Sequence, residues 1–127
     1  MTPRPDSLAE LARRALEPSA FSWELADFLH EFALRGNPAM LAEPPVILRD
    51  RYESGSVHDA WLGAVAVSLS ARLGCPAPLW TRQPERSLPY PWFANPGPHM
   101  RALLLVESPA AFRERNLFVS ANALSVA

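Results

Sequence analysis

Apolar positions in this chain recur mostly at helical intervals. Ser7-Leu8-Ala9-Glu10 opens a first helix with a capping-box pattern, a hydroxyl followed three residues on by a carboxylate. Leu8, Leu11, Ala12, Ala15 and Leu16 then define one apolar face, and Pro18 is expected to end it. A second helix is predicted from about Ser22 to Arg35. Phe21, Leu25, Phe28, Leu29 and Phe32 return at three- and four-residue steps, while Glu24, Asp27, His30 and Glu31 take the other side. Gly36-Asn37-Pro38 supplies a left-handed stop followed by a breaker.

Pro38 to Glu43 has room for one further helical turn. Pro44-Pro45 enforces extended backbone, and Val46-Ile47-Leu48 reads as a short buried segment before the polar run from Arg49 to Gly55. Ser56 is the expected cap of a third helix, with Asp59 as a charge in its first turn. Val57, Ala60, Trp61, Ala64, Val65, Val67, Leu69, Ala71 and Leu73 cover most of that helix's circumference, the pattern of a central, buried element. Gly74 and Pro76 terminate it.

The pattern then breaks. Pro76, Pro78, Pro84, Pro89, Pro91, Pro96 and Pro98 are half of the chain's 14 prolines, and they exclude regular structure between them. Leu79, Trp80, Leu88, Tyr90, Trp92 and Phe93 lie in the same stretch, whereas a disordered linker is poor in aromatics. Residues 76–98 therefore read as an ordered loop pinned to the core rather than a domain boundary. A fourth helix follows from Pro98 to Glu107. Ser108-Pro109 caps a short one that Asn116 stops, Leu117-Phe118-Val119 is extended, and Ser120 caps a last turn. The expectation is all-α: a bundle of four to six helices around a buried central helix, forming one domain over residues 1–127.

Composition narrows the function. Twelve basic and 13 acidic residues leave a net charge of -1, which argues against a dedicated nucleic-acid binder. Every basic residue is arginine, which excludes Schiff-base and phosphate-loop lysine chemistry. The single cysteine, Cys75, permits no intrachain disulfide and reads as a small residue at a helix end. No apolar run approaches a membrane span, and Met1 to Asp6 lacks a signal-peptide core, so a cytoplasmic protein is expected.

Recognisable catalytic or metal chemistry is lacking. His30, His58 and His99 fall in three different elements without ligand-type neighbours at metal spacing, and His30-Glu31 is not followed by a second histidine. His58 and Asp59 are adjacent in a helix and so diverge by about 100°, which discounts a triad. The scattered glycines form no phosphate loop. Neither a metal nor a cofactor is expected.

One segment stands out. Arg82, Arg86, Arg101, Arg113 and Arg115 are interleaved with Trp80, Tyr90, Trp92, Phe93 and Phe112, against only Glu85, Glu107 and Glu114. Exposed arginine and aromatic residues compose interface hot spots. The bland alternative makes the aromatics core and pairs the arginines internally, for example Arg113 or Arg101 with Glu107. For the aromatics the core reading is preferred; for the arginines both stand.

The strings Trp80-Thr81, Pro91-Trp92-Phe93, Arg101-Ala102-Leu103 and Glu107-Ser108-Pro109-Ala110-Ala111-Phe112-Arg113-Glu114-Arg115-Asn116-Leu117-Phe118-Val119 resemble a segment of bacterial, often actinobacterial, proteins. In several of these it follows a helix-turn-helix domain, and their genes stand beside a nucleotidyltransferase-like gene in toxin–antitoxin-like pairs. The resemblance covers the chain from near Ser56 onward. It implies an antitoxin-like protein that binds a partner enzyme encoded by the neighbouring gene. Met1 to Asp50 departs from the pattern: its first two helices are joined through Pro18 without a tight glycine turn, so DNA binding is not carried over.

Two functions follow. The first is a non-catalytic protein-binding domain that uses Trp92, Phe93, Arg101, Glu107, Phe112, Arg113 and Arg115; a homo-oligomer stays open. The second is a small enzyme or ligand-binding protein with a site assembled from Glu107, Arg101, Arg113 and His99, arginine holding an anion while glutamate acts as base.

Overall fold

A computed structural model describes residues 3–125. Helix α1 (Leu8–Arg14) begins at Ser7, whose Oγ accepts the Glu10 N–H at 3.0 Å. The Glu10 carboxylate accepts the Asp6 N–H, one residue earlier than in the reciprocal box. Helix α1 stops at Arg14, four residues before Pro18. That proline instead occupies the first position of α2 (Pro18–Arg35), where a missing N–H costs nothing and a fixed φ suits the first turn. The Arg51 guanidinium donates to the carbonyls of Ala12 and Ala15 and so caps the end of α1. Gly36, at φ +53°, closes α2 as expected.

Helix α3 (Ala39–Ala42) is the single turn predicted after Pro38. In the following extended stretch Pro45 and Leu48 are buried and Val46 is exposed. Helix α4 (Gly55–Leu73) is the central element, buried over most of its circumference from Ala60 to Ser70. It starts two residues earlier than the Ser56 cap predicted, with Ser54 at the cap position. Gly55 permits this start, because a Cβ there would lie 1.9 Å from the Leu48 carbonyl oxygen. Gly74 ends α4 in the left-handed conformation.

The proline-rich segment is ordered against α4, and it is more regular than its prolines suggested. Two short 3-10 turns, Leu79–Arg82 and Pro84–Arg86, lie on the helix, followed by strand β1 (Trp92–Phe93). Helices α5 (Pro98–Glu107) and α6 (Ala110–Arg113) form the crossover to β2 (Leu117–Phe118), which pairs with β1 in parallel. Ser108 does not cap α6. Its Oγ donates to the Leu117 carbonyl and accepts the Val119 N–H, tying the crossover to β2. Asn116, at φ +63°, makes the stop and donates from Nδ2 to the Leu88 carbonyl at 2.7 Å. One core cluster joins α1, α2, α3, α4 and α6 with Leu48, Trp80, Leu117, Val119 and Leu124. The fold is all-α in class, with one two-residue strand pair. Among the described residues no helix is long and apolar enough to cross a membrane.

Candidate functional site

The arginine–aromatic segment divides into an inner and an outer set. Asp59 and Arg86 make the inner one, and both side chains are fully buried. Asp59 accepts the Leu48 N–H at 2.7 Å and the Arg49 N–H at 3.1 Å, with Arg86 NH1 3.6 Å away. Burial pushes the Asp59 carboxyl up, while the amide donors and Arg86 pull it down. Arg86 lies 4.9 Å above the Trp80 ring, donates to Gln83 through Nε, and donates to the Pro45 carbonyl through NH2 at 2.6 Å. Trp80 in turn donates from its indole to the Leu41 carbonyl.

Arg115 is also inward. It donates to the Ala111 and Thr81 carbonyls, and its Nε lies 2.9 Å from where a Cβ on Gly63 would stand. The Arg86 Cβ lies 3.0 Å from the same point. Gly63 is thus the notch in α4 over which two arginines cross. These groups staple the proline-rich segment to the central helix and perform no visible chemistry. Asp59, expected as a helix-start charge, is the hub of that network. Sequence reasoning missed it because its partners come from 11 residues before it and 27 after it.

Phe112 leaves the candidate surface as well. It is fully buried, edge-on to Trp61 at 5.0 Å, as the core reading of the aromatics expected. Glu107 accepts the Ala121 N–H, and among the described residues it pairs with neither Arg101 nor Arg113. Arg113 and His99 are exposed. The Glu107, Arg101, Arg113 and His99 side chains form no mutual hydrogen bonds or ion pairs among the described residues.

The outer set centres on α5. Phe93 stacks on Phe118 with ring centroids 5.0 Å apart, and the Arg101 guanidinium covers Phe93 at 5.6 Å. Beyond them α5 is apolar on nearly every side, yet Leu104 is its only buried residue. Leu103 and Leu105 are about half exposed and Val106 is 80 % exposed. At 100° per residue, Leu103 and Leu105 flank the buried Leu104 line and Val106 points away from it. A short helix apolar all round is ordinarily enclosed. This one lies along β2 and presents an aliphatic ridge beside a cation-capped aromatic stack.

A second feature opens between α2 and α4. A groove of about 520 Å³ is walled by Phe21, His58, Trp61 and Trp92. The His58 ring stacks on Phe21 at 3.9 Å and shares a 2.6 Å hydrogen bond between Nδ1 and the Tyr52 hydroxyl. Burial pulls His58 down to about 4, and burial, with Asp59 adding to it, pushes Tyr52 up to about 12, so both are neutral near pH 7. The phenol is the better donor and the imidazole nitrogen the better acceptor, which leaves the proton of His58 on Nε2. A wider depression of about 790 Å³ is lined mainly by small and aliphatic residues around Ala71, Ala110 and Leu124, with Arg72 and Glu114. Among the described residues no three histidine, cysteine, aspartate or glutamate side chains are grouped to hold a metal. Comparison with protein-family models, with curated proteins and with solved structures finds no match to this chain.

Proposed function

We propose that this chain is a protein-binding domain without catalysis of its own, antitoxin-like, whose partner is the nucleotidyltransferase-like product of a neighbouring gene. The observation that carries the binding half is α5: Leu103, Leu105 and Val106 exposed on a helix that buries Leu104 alone. Exposed aliphatic side chains grouped on one short helix are costly in water and mark protein contact sites. Arg101 over Phe93 adds the cation and aromatic pair enriched at hot spots. The identity of the partner rests on the sequence resemblance. The inward turn of Arg115 and Phe112 removes them from the binding surface, and Glu107 is engaged by the Ala121 N–H rather than by Arg101 or Arg113 of the enzyme alternative.

The reading implies an intracellular partner and a surface that excludes Arg115 and Phe112. It is tested by co-expressing the chain with its neighbouring gene, tagging this chain only, and weighing the product by size exclusion with light scattering. A stoichiometric hetero-complex is expected. A clean monomer, or a homodimer that leaves the neighbour behind, would overturn the partner assignment.

A further inference from the structure

The groove between α2 and α4 has a chemistry of its own. Its volume of about 520 Å³ falls within the roughly 300–1,000 Å³ of small-molecule sites. Phe21, Trp61 and Trp92 reach it from three separate elements, α2, α4 and β1, and supply flat apolar walls. None of its lining residues is an aspartate, glutamate or arginine. A charged ligand would therefore lose its hydration there with no counter-charge in return. The ring of His58 is fixed on one side by Phe21 and at Nδ1 by Tyr52. Its Nε2 has no hydrogen-bond partner among the described residues, so this groove-lining ring keeps one N–H for a ligand.

We propose that this groove is a binding site for a planar, uncharged aromatic molecule that carries one hydrogen-bond acceptor, which the His58 Nε2–H engages while Trp61 and Trp92 contact its faces. Apart from Trp92, which the partner-binding set also includes, the site lies on other residues than the α5 ridge and does not depend on the protein-partner reading. A lining without aspartate, glutamate or arginine offers ammonium ligands no carboxylate, and nucleotides and carboxylates no guanidinium. The lining also carries Ser22, His30 and Ser125, all exposed; the one donor fixed by ring stacking is His58, and it selects a heteroaromatic nitrogen or ring carbonyl over a plain hydrocarbon.

Quinoline and naphthalene, alike in size, differ in the acceptor, and naphthalene-2-sulfonate adds a charged group to the same fused rings. Each is titrated at pH 7.5 into the whole chain labelled with nitrogen-15, following the indole N–H signals of the four tryptophans. Saturable shifts are expected at Trp61 and Trp92 and none at the exposed Trp23. Quinoline should bind about threefold to tenfold more tightly than naphthalene, the range of one net hydrogen bond. The sulfonate should bind more weakly than both. His58→Phe keeps the stacked ring and should reduce quinoline to the naphthalene level. Trp92→Ala is the second variant, half-buried at the groove, and should weaken both neutral probes. Non-saturating shifts, equal shifts at Trp23, or preference for the sulfonate would overturn the proposal. So would loss of the partner complex in Trp92→Ala without any probe binding, which would give the groove to the partner protein.

Discussion

Arg86 is the residue whose surroundings most constrain the fold. Its guanidinium is removed from water and held by one carboxylate, one carbonyl, one amide oxygen and the face of Trp80. Such a pair is weak as net stabilisation but costly to break, because the surviving charge stays buried. Arg86→Met is expected to lower unfolding stability by about 3–5 kcal/mol, and Asp59→Leu by a similar amount. The double variant should cost clearly less than the sum, a coupling that urea melts of the four proteins would measure. Strict additivity would mean that the two side chains are energetically independent.

His58 gives a pH signature at the same scale. Its folded value is pulled from 6.5 to about 4 by burial, so the unfolded chain binds a proton in this window that the native chain refuses. Stability from this group is present above about pH 6.5 and is lost as pH falls toward 4, by at most about 3 kcal/mol. Tyr52 and Phe21 face the ring. Neighbouring Asp59 acts in the opposite sense, since its raised carboxyl favours the proton in the native state. Denaturation curves at pH 7, 5.5 and 4.5 should therefore be flatter for His58→Gln than for the parent. Identical slopes would contradict a buried neutral imidazole.

Among the elements, α4 is decisive because both 3-10 turns, α6 and β2 pack on it. Gly63→Ala would set a methyl within about 3 Å of Arg115 Nε and Arg86 Cβ, where neither side chain has open space. The expected cost is about 1–3 kcal/mol, read as a lower melting temperature with unchanged helix content. Most elements were legible because their periodicity and punctuation agreed: Ser7 as cap, Gly36 and Gly74 as left-handed stops, the all-round apolar α4, and Asn116 as a break. Pro18 was misread because a proline signals both the end of one helix and the start of the next, and only packing decides between them. The start of α4 was shifted because Gly55 is required by a close approach to Leu48, which local sequence does not encode. Within the candidate surface the inward turns of Arg115 and Phe112 were hidden for the same reason. Their partners Thr81 and Trp61 are 34 and 51 residues away.

For the whole molecule the claim is that binding is carried by α5 while stability is carried by α4 and the buried arginines. The two should separate on mutation. Leu105→Glu with Val106→Glu alters only exposed or half-exposed positions, so the melting temperature should move little, by the equivalent of roughly 0.5 kcal/mol for each site. The most direct measurement is that double variant carried through the co-expression experiment beside the parent chain and Arg86→Met. A folded, unchanged double variant that no longer brings the neighbouring gene's product through size exclusion is the predicted result. Retention of a full-strength complex by Leu105→Glu/Val106→Glu would contradict the assignment of the α5 ridge as the binding surface.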